Sequence, residues 1–221
     1  MVPAASPIDD TAISAALSGP RALTYVAAVG GDLARAMTLY GWNARVSAAL
    51  MLPSHFSEVT TRNAAADVLE QVYGPRWPWN STFFGSLPNP GPGGGFNPRR
   101  ELSHVRNVQP TTGRVIAELK FVFWQKLFTG RHDVRLRQPH IAAAFPQAPT
   151  MSADALRNRI YGDLETLRRL RNRLAHHEPI FTRNLGDDLN RMLDLIGLRS
   201  APATRWVKAM EDVTSVIAER P

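Results

Sequence analysis

The chain has 221 residues, 44% of them hydrophobic, no cysteine, and a formal net charge of +7. That length and apolar content suffice for one buried core. The missing cysteines exclude disulfides, thiolate zinc sites and thiolate iron–sulfur clusters, and fit a reducing compartment.

The excess charge is arginine, because lysine occurs only at Lys120, Lys126 and Lys208. Arginine is the planar, permanently charged binder of phosphate, so a polyanion partner, RNA or DNA above all, is one reading. The other is the codon bias of a GC-rich genome, which also enriches alanine and proline. The opening Met1-Val2-Pro3-Ala4-Ala5-Ser6 lacks the basic-then-apolar order of a signal peptide, and no apolar run approaches a membrane span. The expectation is a cytoplasmic protein with no membrane contact.

Taken in chain order, helix punctuation dominates. Ser6-Pro7 and Gly19-Pro20 have the form of cap-then-proline starts, and Gly30-Gly31-Asp32 ends one helix and opens another. Leu33, Ala36, Met37, Tyr40, Ala44 and Ala48 recur at three- and four-residue steps, which predicts a helix over 32–50. A second helix is predicted over 54–73, closed by Gly74-Pro75, with Trp77, Trp79, Phe83 and Phe84 anchoring the turn that follows.

Residues 85–98, rich in glycine and proline, predict a flexible loop inserted between helical layers, with almost nothing to bury. The apolar run 115–128, with Phe121, Phe123, Trp124 and Phe128, predicts one central buried helix. Arg131 to Gln138 is expected to be a basic turn, and Pro139, Pro146 and Pro149 delimit a short helix. A long helix is predicted from Ser152 to about His177, stopped by Pro179, and two more over 184–198 and 204–220. There is no strand pattern and no repeat. The fold expected is all-α, a helical bundle occupying 1–221 as a single domain.

In the long helix the stripe Leu156, Ile160, Leu164, Leu167, Leu170 and Leu174 marks the face turned to the core. Arg168, Asn172 and His176 follow one another at four-residue steps on the opposite face, and Arg171 lies at the stripe's edge. Histidine changes protonation nearest neutrality, and arginine is the best fork for phosphate oxygens. Together they suit phosphodiester cleavage without a metal: the RNA 2′-hydroxyl is the nucleophile, and the protein moves protons and stabilises charge. On that reading His176 transfers the proton, Arg171 clamps the phosphate and Asn172 orients. His177 points about 100° further round and is a supporting residue. Glu178, near Arg171 on the wheel, is placed to pin its guanidinium. The helix end favours a charged imidazole and the neighbouring arginines oppose it, which leaves the net sign open. The site needs a cover, and a second copy of the same helix about a two-fold axis would supply one, so a homodimer with a composite site is expected.

The spacing of Arg171 and His176 recurs at Arg99 and His104 and at Arg135 and His140, so spacing alone decides nothing. The whole string Leu170-Arg171-Asn172-Arg173-Leu174-Ala175-His176-His177-Glu178-Pro179-Ile180 resembles the signature of the Abi-like (abortive infection) family of the HEPN superfamily. Further blocks agree in order: Leu39-Tyr40-Gly41-Trp42-Asn43 with Ser47 and Ala49, Glu58 with Arg62-Asn63, and Gly113-Arg114-Val115-Ile116-Ala117-Glu118-Leu119 with Phe121, Phe123 and Trp124. The resemblance implies a HEPN-type bundle with added N- and C-terminal helices. It also implies a dimer, metal-independent endoribonuclease activity, and a role in phage defence or as a toxin, with an antitoxin protein or regulatory small RNA as a further class of partner. It places catalysis on Arg171, Asn172 and His176. Glu178 stands where a nucleotidylated toxin subgroup carries tyrosine, so that subgroup is a poor match.

Glu58 and Arg62, four apart on a helix, read either as a surface ion pair or, with Asn63, as support for the site. Arg168 and Arg173, with Arg131 and Arg135 of the basic turn, are the candidate RNA contacts; a solvated loop is the alternative for the turn. His55, His104, His132 and His140 lack partners at metal-ligand spacing, so neither a metal nor another cofactor is expected. The alternative function is a non-catalytic RNA-binding or sensor module that uses the same motif for binding and dimerisation.

Overall fold

A computed structural model describes residues 9–132 and 140–221 of the chain. The predicted start at Ser6-Pro7, the candidate contact Arg135 and most of the predicted basic turn lie outside the described residues. Every regular element among the described residues is helical: α1 (Asp10–Ala16), α2 (Gly19–Ala28), α3 (Leu33–Tyr73), α4 (Ser81–Ser86), α5 (Pro98–Val108), α6 (Thr112–Glu118), α7 (Phe121–Leu127), α8 (Ile141–Ala144), α9 (Ala153–Ala175), α10 (Leu185–Arg199), α11 (Ala201–Met210) and α12 (Val213–Ala218), with single 3-10 turns at Trp77–Trp79 and Gly130–His132. The fold is all-α. None of these helices is long and apolar enough to cross a membrane.

The punctuation works as the residue types dictate. Side chains of Asp32, Asn97, Ser152 and Asn184 each accept a hydrogen bond from a backbone N–H in the first turn of α3, α5, α9 and α10. These bonds satisfy donors that a helix start leaves free. Gly30 and Gly31 adopt φ of 74° and 96°, a region closed to most side chains, and so reverse the chain between α2 and α3.

The two helices predicted over 32–50 and 54–73 are one, the 41-residue α3, which carries Pro53 inside it. A proline there removes one ladder hydrogen bond and crowds the preceding turn, at a cost of about 3 kcal/mol. Packing outweighs that cost, because α2, α9, α10 and α12 all lie against α3 and Pro53 itself is buried. The predicted central helix over 115–128 is two, α6 and α7. Leu119 and Lys120 between them are extended, with ψ of 131° and 148°. The break lets Val115 and Leu119 bury on one side and Phe123 and Trp124 on the other, all within 2% exposure. A second break, at Glu211 and Asp212, divides the predicted final helix into α11 and α12, where the Glu211 carboxylate accepts from the Val213 N–H at 2.6 Å.

The loop of 85–98 is shorter and better tied than its composition suggests. Gly85 and Ser86 end α4, Pro98 opens α5, and Leu87 is buried at 1% exposure. The Arg99 guanidinium donates to the carbonyls of Gly85 and Leu87 at 2.6 and 2.8 Å. Asn97 holds Asn89 and the Pro90 carbonyl at 2.9 and 3.0 Å. Helix α5 itself was not among the predicted elements, although Asn97-Pro98 is a cap followed by proline at the first helical position.

Two contacts fix the spine to its surroundings. Trp77 and Trp124 meet edge to face at 6.1 Å beyond the end of α3, the anchoring role expected of the aromatic turn. Near the start of α3, the Trp42 indole donates to the Val216 carbonyl at 2.6 Å and holds α12 in place.

Candidate functional site

The predicted leucine stripe of α9 is buried along its whole length, Leu156 to Leu174. With that face turned inward, Arg171, Asn172 and His176 are exposed, and none of their side chains makes a hydrogen bond or ion pair among the described residues. Arg168 differs from its expected companions. It is half-buried and gives its Nε and a terminal nitrogen to Glu165 at 3.1 and 2.9 Å.

Glu165 is the hub of a polar cluster between α7 and α9. It also accepts from Gln125 at 2.6 Å and Arg169 at 2.8 Å. The Arg168 hydrogen bond foremost, opposed by burial and aided by the Gln125 and Arg169 donors, holds its carboxyl down at about 2. The Arg168 guanidinium is shifted upward by the same bond. Because the carboxyl is depressed on folding, its stabilisation is whole above about pH 4.5 and is lost as pH falls towards 2. Glu165→Gln is expected to cost about 2 kcal/mol at neutral pH. The gap in melting temperature between variant and wild type should close as the pH is lowered through that window, which thermal denaturation across acid pH will read.

Helix α9 stops at Ala175, short of the predicted end, and the manner of stopping shapes the site. His176 is the C-cap; the His177 N–H donates to the Leu174 carbonyl at 3.2 Å and the Glu178 N–H to the Arg173 carbonyl at 2.9 Å. This is a Schellman turn, which needs a left-handed residue just past the cap. Here that residue is His177, with φ of 55°. A side chain in this region is strained by roughly 1–2 kcal/mol, so His177→Gly is expected to raise the melting temperature by roughly 2–4 °C per kcal/mol relieved.

The chain reverses after Ala175, so a wheel cannot be extended past it. Glu178 accordingly pairs with Arg173, at 3.7 Å, and not with Arg171. Arg173 also donates to the Pro179 carbonyl at 3.1 Å. It clamps the turn that Glu178 was expected to share with Arg171.

What holds this helix end is Asn43 of α3. It is 5% exposed, and its Oδ1 accepts from the Ile180 N–H at 2.8 Å. A backbone N–H can only donate, so the atom it meets is the amide oxygen, and Nδ2 is left over. Asn43 is also in the wall of a groove of about 550 Å³ that runs past Ala175 and His177, between α2 and α3. The rest of the wall includes Arg21, Tyr25, Tyr40 and Met51. Tyr25 is 1% exposed, and its ring lies 4.7 Å from that of Tyr40. Burial first, then Tyr40, push its hydroxyl up to about 12 against the pull of Arg21, so it stays a neutral hydrogen-bonding phenol. Its hydroxyl has no hydrogen bond among the described residues. Arg21 stands at the rim, 3.5 Å from the His177 carbonyl.

Of the sequence-derived candidates, Arg171, Asn172, His176 and His177 thus share one exposed helix end. Glu58, Arg62 and Asn63 do not join them: they lie 15 to 20 residues beyond Asn43 on α3, about 22–30 Å along the axis. No ion pair joins Glu58 to Arg62 among the described residues, and the Arg62 Nε is buried without a hydrogen bond. Arg131 is exposed in the turn Gly130–His132, on another part of the surface lined by α7 and the glycine-rich loop. Among the described residues no three His, Asp or Glu side chains converge as a metal-ligand set.

Sequence reasoning missed Arg21 and Tyr25 altogether, and took Tyr40 as part of a helical stripe and, with Asn43, of a recurring block, but neither as a site residue. The buried Asn43 had a signal, a polar residue on the apolar side of a periodic helix; Arg21 and Tyr25 had none, since only the packing of α2 brings them here. No family model, curated protein or solved structure matches the chain.

Proposed function

We propose that the chain is a metal-independent endoribonuclease of the Abi-like, HEPN type. It acts as a homodimer in which two copies of Arg171, Asn172 and His176 complete one composite site. The observation that carries the reading is the end of α9, where these three side chains are exposed and, among the described residues, unengaged, beside a groove walled by Tyr25 and Tyr40 with an arginine at its rim. In the reaction the RNA 2′-oxygen gives up its proton and attacks phosphorus, the bond to the 5′-oxygen breaks, and that oxygen takes a proton. The products are a 2′,3′-cyclic phosphate and a 5′-hydroxyl. One His176 removes the first proton and its copy supplies the second, while Arg171 binds the non-bridging oxygens as negative charge builds on them. The groove receives the strand next to the cut, with Tyr25, Tyr40 and the free Asn43 amide facing it.

Such an enzyme would serve in the cytoplasm as a toxin-like effector of phage defence, restrained by an antitoxin protein or a small RNA. The second reading, a non-catalytic RNA-binding or sensor module, draws on one observation: within a single chain no partner among the described residues orients the His176 ring. Incubation of RNA with the protein in excess chelator separates the two. Cleavage leaving cyclic phosphate ends supports the enzyme; binding without cleavage supports the module. Light scattering over a concentration series tests the dimer, and a monomer throughout would overturn the composite site.

A further inference from the structure

The glycine-rich loop, α4, the start of α5 and the end of α7 line a second, open cavity of about 710 Å³, apart from the α9 end. Three cations line it, Arg99, Lys126 and Arg131, and among the described residues no carboxylate does. Elsewhere arginines meet acids: Arg159 meets Asp194 at 2.9 Å, Arg191 meets Asp163 at 2.6 Å, and Arg199 pairs with Asp67. Here the described residues neutralise none of the three. Arg99 spends its hydrogen bonds on the neutral carbonyls of Gly85 and Leu87. Among the described residues Lys126 reaches Tyr161 alone, its hydroxyl at 3.5 Å and its ring at 5.8 Å. Arg131 is exposed and has no ion pair among the described residues.

Three like charges gathered in a concavity repel one another and focus a positive potential into it, a cost that an anionic ligand turns into affinity. The volume falls within the range of about 300–1,000 Å³ typical of small-ligand sites. The wall is formed in advance, since Asn97 ties Asn89 and Pro90 together across the loop. Phe96 and the loop prolines supply apolar surface in its wall, and the Ser86 and Thr129 hydroxyls, which donate to the Phe83 and Lys126 carbonyls, offer oxygens that can only accept.

We propose that this cavity binds a nucleotide, its phosphate held by Lys126, Arg131 and Arg99 and its base laid against Phe96. The phosphate belongs either to a free nucleotide or to a residue of an RNA strand, and the site stands whether or not the α9 end cleaves RNA. Calorimetric titration with ATP, with a short single-stranded RNA and with inorganic phosphate tests it, on the wild type and on the double variant Lys126→Gln, Arg131→Gln. Each lost charge-assisted hydrogen bond weakens binding about tenfold or more, so the double variant is expected to bind about 100-fold more weakly at an unchanged melting temperature. A loss confined to ATP assigns the site to a free nucleotide, and a loss confined to RNA assigns it to the strand. Wild-type affinity for both ligands in the double variant overturns the proposal, as does a wild type that binds neither more tightly than inorganic phosphate. Should the double variant melt early, Arg131→Gln alone, at an exposed position, decides the matter by the same titrations with about a tenfold loss.

Discussion

His176→Ala is expected to slow RNA cleavage about 10²–10⁴-fold, the usual worth of a positioned proton-transfer group, while leaving the melting temperature near that of the wild type. The second half of that expectation rests on exposure: His176 is a C-cap whose contribution to the fold is its backbone N–H, given to the Asn172 carbonyl at 3.0 Å, and alanine keeps it. Arg171→Ala should likewise cost rate without stability. Arg171→Lys should restore only part of it, since an ammonium cannot offer the two parallel donors of a guanidinium to a phosphate. Initial rates on a defined RNA in chelator, with end-group analysis, read both. Cleavage by His176→Ala at the wild-type rate would sink the assignment.

The second large effect is structural. Arg183 donates through Nε and a terminal nitrogen to both oxygens of Asp188 at 2.8 and 2.7 Å, and Asp188 is 3% exposed. The contact shifts the guanidinium upward. Removing one partner of such a pair strands a charge in the interior. Arg183→Met is therefore expected to destabilise by about 3–5 kcal/mol, or roughly 6–20 °C in melting temperature for a chain of this size. Adding Asp188→Leu should recover most of the loss, because a matched apolar pair removes the stranded carboxylate. Thermal denaturation of the single and double variants checks this, and an Arg183→Met single variant no less stable than the double one would refute it. The pair ties the turn that follows the α9 end to the first turn of α10, so unfolding there would also release the site.

Much of this architecture is local and therefore legible in the sequence. Ser152, the leucine steps to Leu174 and Pro179 predict α9 and its buried face, because each acts within a turn or two of itself. Asp32 and Asn184 announce α3 and α10 in the same way. The failures are cases where distant packing overrides a local rule. Pro53 is a helix breaker by its own chemistry, yet the helices laid against α3 keep it continuous. Leu119 and Lys120 carry no breaking residue, yet two separate buried faces require a bend there. At the candidate site, the periodicity of α9 places Arg171, Asn172 and His176 correctly but cannot describe the reversal after Ala175. Hence Glu178 goes to Arg173, and the groove walls contributed by α2 could not be anticipated.

The Asn43–Ile180 hydrogen bond joins residues 137 positions apart. Closing a loop of that length costs about 4 kcal/mol of chain entropy, which no segment around the Arg-Asn-His string can recover alone. A fragment that begins after α3 keeps all three of those side chains on α9 but loses Arg21, Tyr25, Tyr40 and Asn43, and with them the groove.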